Sequence, residues 1–219
     1  STRVLFILAT EGMIVRARPR GTWVSSQYRW TSMDSWVPAS GPEPTTDEAR
    51  VGLVRLYLRR FGPATETDVV WWTGWTKTAT RRALAAVGAV EVDLDGGVGL
   101  ALPDDLEPVD DAGSWVALLP SLDSTIMGWK QRDWYLGPHG PALFDTNGNA
   151  GPTVWVDGRV VGGWAQSADG TVIYELIEGV GSGVRDAVAV RASELSEWLE
   201  GKVLMPRFPS PLHQRLTVP

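Results

Sequence analysis

The chain contains no cysteine and only two histidines, His139 and His213, among its 219 residues. The absence of cysteine excludes disulfides, thiolate metal sites and a cysteine nucleophile, and two histidines are too few for a histidine-rich metal site. No apolar run approaches the roughly 18–20 residues that a membrane span needs. The net charge of −6 argues against a generic nucleic-acid binder, because such proteins are usually basic. We therefore expect no metal, no cofactor and no membrane partner.

The composition is otherwise that of a folded globular protein. Hydrophobic residues make up 43% and charged residues 21% of the chain, which excludes a wholly disordered protein. A length of 219 residues predicts one large or two small domains. Tryptophan is unusually frequent, with 12 residues against four each of tyrosine and phenylalanine. The chain starts with serine rather than an initiator methionine, and no secretory signal follows.

The first part of the sequence predicts a helix followed by a basic hairpin. Residues 1–9 have a helical apolar pattern, and residues 13–18 alternate between two faces, with Arg16 and Arg18 on the same face. A Pro-Arg-Gly turn follows, and residues 22–27 are predicted to return as the second strand. A helix and a hairpin without preceding helices form an incomplete unit, so we expect the chain to begin inside a domain.

The next segment predicts three capped helices and a hairpin after a Pro/Gly/Ser linker. Two capping-box patterns begin at Thr45 and Thr65, and Thr76 is a predicted N-cap for the third helix. An Asp-Gly-Gly turn suits a tight connection between two short strands. The order of elements is typical of a winged helix, and a helical bundle with an incidental hairpin is the alternative. The predicted helices lie at 46–60, 66–72 and 77–87, and the strands at 90–94 and 98–102.

The last part of the chain changes to short β-rich segments. Turns rich in Gly, Pro, Asn and Asp separate them, which favours a small sandwich or barrel. A glycine-rich stretch at 179–183 lacks the spacing of a phosphate-binding loop and is predicted to connect two strands. A final helix is expected from Ser193 to Glu200, and a further strand at 203–208. The other predicted strands lie at 115–119, 133–136, 153–156, 159–164 and 171–177.

The predicted fold class is α+β. A winged helix-turn-helix unit, preceded by the tail of another one, is followed by a small antiparallel β-barrel-like domain with a C-terminal helix. The expected organisation is a partial winged helix at 1–37, a linker at 38–44, a winged helix at 45–103, an acidic linker at 104–113 and a β-barrel-like domain at 114–219.

Four stretches of the sequence, taken in order, resemble one protein family. They lie at 53–84 (LVRLYLRRFGPATETDVVWWTGWTKTATRRAL), 117–136 (ALLPSLDSTIMGWKQRDWYL), 154–164 (VWVDGRVVGGW) and, more weakly, 203–216 (VLMPRFPSPLHQRL). The family is the bacterial winged-helix DNA-binding family that includes the interstrand-crosslink repair DNA glycosylases. The combination of the four stretches is specific, although each piece alone is not.

The resemblance implies a fold, an activity and a partner. The fold would be tandem winged-helix units followed by a C-terminal β-barrel, and the partner double-stranded or damaged DNA. The activity would be excision of bulky or crosslinked alkylated bases by a monofunctional glycosylase that uses water and no metal. Such a protein is expected to be a monomer in the bacterial cytoplasm, associated with the nucleoid.

The same resemblance bears on catalysis. The glycosylases of the family use a Gln-x-Gln or Gln-x-Asp motif, with an apolar middle residue, near the N-terminus. Gln131-Arg132-Asp133 has this spacing, but Arg132 is charged and the segment matches the family's entry into the barrel. We therefore assign no catalytic role to it, and we expect the catalytic region to lie upstream of residue 1 and this chain to be non-catalytic.

Three groups of basic residues are candidates for DNA contact. A winged helix usually places its third helix in the major groove and a wing on the backbone. The alternatives are a solvated helix face, arginines paired with acids elsewhere, and tryptophans (Trp129 and Trp134) that pack domains together around the third group. The candidates are Arg16, Arg18 and Arg20 of the first wing, Lys77, Thr78, Arg81 and Arg82 of the third helix, and Lys130 and Arg132 of a later loop.

Charge is distributed unevenly along the chain. The second wing carries Glu91, Asp93 and Asp95, and such an acidic wing is repelled by phosphates. We therefore expect the first wing to face DNA and the second to face solvent or another domain. Two other functions stay open: a transcription regulator with a ligand-sensing β-domain, and an interaction module with an acidic surface. His139 has no partner nucleophile visible in the sequence.

Overall fold

The structure is a computed structural model that describes residues 2–37 and 41–218. Three residues of the predicted linker at 38–44, namely residues 38–40, lie outside the described residues. The chain divides into two compact units, one up to Thr46 and one from Asp47 onward. None of the described helices combines the length and the apolar character that crossing a bilayer requires.

The first unit is a helix followed by a two-stranded antiparallel hairpin and one further helical turn. Its elements are α1 (Thr2–Thr10), β1 (Ile14–Pro19), β2 (Tyr28–Ser32) and α2 (Met33–Trp36). The prediction of a strand at 22–27 is wrong. Pro19 is paired with Tyr28, and the Arg20 amide donates to the Gln27 carbonyl oxygen at 2.7 Å, so the intervening residues form the connecting loop.

The second unit begins with three helices that follow the capping signals. They are α3 (Thr46–Phe61), α4 (Glu66–Thr73) and α5 (Lys77–Val87). The predicted capping box at Thr65 is present, since its hydroxyl accepts from the Asp68 amide while the Asp68 carboxylate accepts from the Thr65 amide. Thr76 caps α5 as predicted. Apolar side chains of the three helices share one core, with Val54, Tyr57, Leu58, Val69 and Leu84 among its buried members.

A second hairpin follows these helices, as the sequence predicts. Strands β3 (Val90–Leu94) and β4 (Gly97–Ala101) are antiparallel and in continuous register. Ala64, in the connection between α3 and α4, exchanges two backbone hydrogen bonds with Leu100 of β4, at 2.8 and 3.1 Å. The hairpin is therefore fixed to the helices by main-chain pairing as well as by side chains.

The rest of the chain is a four-stranded sheet with helices on both faces. Its antiparallel strands are ordered β5-β6-β7-β8: β5 (Val116–Leu119), β6 (Thr153–Val156), β7 (Arg159–Gln166) and β8 (Val172–Leu176). On one face Val154 packs in a core with Val188 of α8 (Ser182–Leu199). On the other face Trp155 packs in a core with Leu143 and Leu212. The helical elements that contribute to this second core are α6 (Asp133–Leu136), α7 (Gly140–Leu143) and α9 (Pro211–Thr217).

The predicted barrel is wrong, because the sheet is open. Among the described residues β5 and β8 are its edges, and no pairing joins them. Strand β7 is buried from Val160 to Gln166, since helices cover both of its faces. A closed barrel is one way of burying short antiparallel strands, and helices on both faces are another. The described chain is thus a mixed α and β fold with antiparallel sheets.

Three further segments differ from their predictions. Residues 133–136 form a helical turn instead of a strand, and the Leu136 amide donates to the Arg132 carbonyl oxygen at 2.9 Å. Helix α8 starts at Ser182 instead of Ser193, so the stretch at 179–183 leads from a strand into a helix. Residues 203–208 are not a strand; the Leu204 amide instead donates to the side chain of Gln166 at 2.8 Å.

Candidate nucleic-acid interface

The first hairpin presents its arginines to solvent. Arg16, Arg18 and Arg20 are exposed, and β1 alternates between exposed and half-buried positions from Arg16 onward. The Arg16 guanidinium lies 5.3 Å from the ring centre of Tyr28 and 5.6 Å from that of Trp30. No described carboxylate within the first unit is within ion-pair distance of the three arginines. The alternative that acids of this unit neutralise them therefore finds no support in its described part.

Helix α5 carries the second candidate group on its exposed face. Lys77, Thr78, Arg81 and Arg82 are all exposed, and the opposite face is buried in the helical core. The helix starts with a basic residue and has no acidic residue in its first turn. The positive charge of Lys77 therefore lies at the N-terminus of α5, which attracts anions already through its free backbone amides.

The two arginines of α5 are held by carboxylates from the neighbouring helices. Arg81 donates to Glu66 of α4 at 2.7 Å, and Arg82 donates to Asp47 of α3 at 2.8 Å. Asp47 also accepts from Arg50 at 3.2 Å. The hydrogen bond from Arg81 holds the pKa of Glu66 below its usual value. A phosphate that approaches either arginine is therefore opposed by the negative charge of the carboxylate that the arginine already binds.

The second hairpin is acidic on its exposed side. Glu91, Asp93 and Asp95 are all exposed, at alternate positions along β3 and into its turn. Glu91 also lines a groove with Glu66, Arg81 and Val98. Negative charge on this face opposes the approach of phosphates.

The loop with Lys130 is attached to α4 through one buried carboxylate. Asp68 is 2% exposed and accepts four hydrogen bonds. Two come from Thr65, and two come from the backbone amides of Lys130 and Gln131, at 2.9 and 2.8 Å. The side-chain oxygen of Gln131 also lies 2.6 Å from the Thr65 hydroxyl, whose single proton is shared between Gln131 and Asp68. Lys130 itself is exposed, and its backbone is held where helix and loop meet.

Aromatic side chains complete this junction. The Tyr57 hydroxyl donates to the Gly128 carbonyl at 2.9 Å, and the Trp129 indole donates to the Phe61 carbonyl at 2.9 Å. Burial raises the pKa of Tyr57. Trp129 thus packs between the helices and the sheet, whereas Trp134 is 62% exposed.

Arg132 lies at the edge of an open pocket. Its guanidinium is 4.9 Å from the ring centres of both Trp71 and Phe144, and it donates to the Ile126 carbonyl at 3.2 Å. Reasoning from the sequence missed Trp71 and Phe144 as partners of Arg132, since they lie far from it in the chain. No local signal links the three positions.

His139 has a partner that the sequence did not reveal. Its Nε2 atom lies 2.9 Å from Oε1 of Glu178, and Arg159 lies 3.5 Å from the same oxygen. The hydrogen bond from His139 is the main reason that the pKa of Glu178 is below its usual value. Within the described residues, no group of three His, Asp or Glu side chains is arranged to hold a metal ion.

Comparison with known proteins places the chain in a family. The model of the DNA glycosylase AlkZ-like family matches residues 1–198. An interstrand DNA cross-link repair glycosylase from Streptomyces sahachiroi is 28% identical over 160 residues, which are 66% of this chain and 43% of that protein. The solved structure of Streptomyces sahachiroi DNA glycosylase AlkZ has a TM-score of 0.71 at 25% identity, and the match covers 89% of this chain and 54% of that one. The chain spans about half the length of the proteins that it matches. It belongs to the DNA glycosylase AlkZ-like family.

Proposed function

We propose that this chain is the DNA-binding portion of a DNA-repair glycosylase that excises bulky or crosslinked alkylated bases. Membership of the DNA glycosylase AlkZ-like family supports the repair activity, and so does the name of the Streptomyces sahachiroi relative. The partner is double-stranded or damaged DNA, which the protein binds as a monomer associated with the nucleoid. We retain the predicted boundaries, with a partial winged helix at 1–37, a winged helix at 45–103 and a separate β-rich part from 114.

The first hairpin is the strongest candidate for contact with the DNA backbone. The observation that carries this assignment is that Arg16, Arg18 and Arg20 are exposed and have no described carboxylate partner in their unit. Stacking of Arg16 on two rings fixes the plane of its guanidinium and leaves its N–H donors at the edge. Such an edge matches two oxygens of one phosphate.

Helix α5 is the candidate for insertion into the major groove. Lys77 and Thr78 are exposed in its first turn, and Arg81 follows one turn later on the same side. These side chains donate to phosphate oxygens and to base edges. The acidic second hairpin would then face solvent or another domain.

We further propose that this chain binds DNA without excising a base. Gln131 has the glutamine spacing of the family's catalytic motif, but its side-chain oxygen already accepts from Thr65 and its amide donates to Asp68. That glutamine is used to attach a loop to a helix. A single-turnover excision assay on alkylated duplex tests the proposal, and base release by this chain that Gln131→Ala abolishes would refute it.

Charge reversal on the first hairpin tests DNA binding. Arg16→Glu with Arg18→Glu should weaken binding to a labelled duplex at least about tenfold at low salt, because two phosphate contacts become repulsions. The dependence of log K on log salt should become shallower by about 1.8, at about 0.9 per phosphate. Fluorescence anisotropy at several salt concentrations measures both quantities.

Arg29 offers the matched control. It is exposed on β2 between Tyr28 and Trp30, and neighbouring residues of a strand point to opposite faces. Arg29→Glu therefore makes the same kind of charge change on the face that does not carry Arg16. The Arg29 variant reverses one charge and the Arg16/Arg18 variant reverses two, so a loss of log K in the Arg29 variant of half the loss in the double variant would mean general attraction and not a defined hairpin face.

A further inference from the structure

We propose that the pocket beside Arg132 binds one unstacked nucleotide of a DNA strand. The guanidinium edge would hold the phosphate, and the aromatic wall would contact the base. This inference rests on the proposed function, since it names a particular DNA state that the protein recognises. The pocket is lined by Trp71, Met127, Arg132, Phe144, Asn147, Gly148 and Asn149, and its volume is about 410 Å³.

Arg132 is prepared for an anion by its surroundings. Its guanidinium lies over two aromatic rings at 4.9 Å from each centre, and these contacts restrict its orientation before any ligand arrives. Its two hydrogen bonds go to backbone carbonyls, those of Ile126 at 3.2 Å and Lys130 at 3.5 Å. A guanidinium has five N–H donors, so donors remain available. Among the described residues no carboxylate forms an ion pair with it.

The rest of the lining fits a base better than it fits a bare anion. Trp71 is 36% exposed, and Phe144 and Met127 are half-buried, which supplies an apolar surface. Asn147 and Asn149 add amide groups at the rim. Pockets of about 300–1,000 Å³ hold compact organic ligands, whereas a phosphate alone fills much less. Aromatic faces beside a positive charge are the combination that binds single-stranded nucleic acids.

The geometry also indicates which DNA state is favoured. In an intact duplex each base is stacked and paired, so it cannot enter a pocket beside the backbone. A single strand, or a duplex with a disturbed base, presents a nucleotide that can enter. The pocket therefore distinguishes distorted DNA from regular duplex, whereas the arginines of the first hairpin contact backbone that both forms share.

The test compares a labelled thymidine octamer with a labelled regular duplex, using the full chain and fluorescence anisotropy. Arg132→Lys keeps the charge but removes the planar fork, and it should weaken binding to the octamer about fivefold or more. Binding to the duplex should change less than about twofold. Arg207→Lys is the matched control, because Arg207 also lies over a ring, that of Phe208 at 5.5 Å, outside the pocket.

A second variant keeps the proposal testable if Arg132→Lys disturbs the fold. Asn147 is exposed at the rim, so Asn147→Asp adds a negative charge beside the phosphate position without removing a core contact. It too should weaken octamer binding selectively, and its melting temperature shows whether the loop in which Asp145 accepts from Asn147 is intact. Unchanged octamer affinity in both variants, or an equal loss for octamer and duplex, would overturn the proposal. Loss of duplex binding in the Arg16/Arg18 variant, with octamer binding retained, tests the proposed function separately.

Discussion

Replacing Glu66 with glutamine removes the carboxylate that holds Arg81 and leaves the shape of the side chain nearly unchanged. Glu66 is the first residue of α4, and its side chain is 32% exposed while that of Arg81 is 65% exposed. The capping box of α4 depends on Thr65 and Asp68, so the substitution should not disturb the helix start. If α5 binds DNA, a phosphate must compete with Glu66 for Arg81. The variant should therefore bind DNA more tightly.

The size of the effect follows from the exposure of the pair. An exposed ion pair shifts an equilibrium by a factor of about 1.5 to 5, so the affinity for duplex should rise by that factor at low salt. One additional phosphate contact steepens the slope of log K against log salt by about 0.9. Between 50 and 200 mM salt that extra slope amounts to about 3.5-fold. The gain in affinity should thus shrink as salt increases.

Anisotropy titrations of a labelled duplex at four salt concentrations give both quantities. Glu91→Gln is the control, because Glu91 lines the same groove and loses the same charge but forms no described ion pair. A double variant, Glu66→Gln with Arg81→Gln, should return to the parental affinity or below it. If Glu66→Gln and Glu91→Gln give the same affinity and the same salt slope, Arg81 does not contact DNA and the reasoning fails.

Three other predictions concern stability. Asp68→Ala removes a buried acceptor of four hydrogen bonds and should lower the free energy of unfolding by about 3 kcal/mol in urea titrations. Asp123→Ala is the control, because it removes one hydrogen bond from the Thr125 amide and should lower the free energy of unfolding by less than about 1 kcal/mol. Tyr57→Phe removes one buried hydrogen bond and should cost about 1 kcal/mol by the same measurement; no change would mean that water replaces the bond. Burial lowers the pKa of His213 from 6.5, so the unfolded chain takes up the proton first. The stability contributed by neutral His213 should be present above pH 6.5 and lost as pH falls below it. The melting temperature of His213→Leu should therefore fall less than that of the parent when the pH is lowered from 7.5 to 5.5.

Local signals in the sequence were sufficient for helices α3, α4 and α5. A capping box places its hydroxyl and carboxylate within four residues of each other, and the start of α4 follows the pattern at Thr65 and Asp68. The turn between β3 and β4 is equally local. These elements are determined by near neighbours, so their existence and approximate bounds could be predicted.

The errors arose where distant residues decide the structure. Strand β7 has the apolar run of a strand buried on both faces, but its sequence does not say whether helices or other strands cover it. Helix α8 begins in a glycine-rich stretch, and Gly183 in its first turn concealed the start. Asp68 was predicted only as part of a cap, yet it also accepts from amides 62 and 63 positions away. No pattern within one segment contains such a contact.

The contrast between the arginines bears on whether an acidic chain could bind DNA as proposed. Arg81 and Arg82 each bind a carboxylate, whose negative charge opposes the approach of a phosphate. Arg16 and Arg132 are each held by two aromatic rings, which fix the guanidinium without cancelling its charge or occupying its edge donors. Unlike the acids, Trp30, Trp71 and Phe144 carry no ionisable group. The frequent tryptophans and the negative net charge are therefore compatible with DNA binding, because the arginines best placed to meet a phosphate are oriented by rings and not by acids.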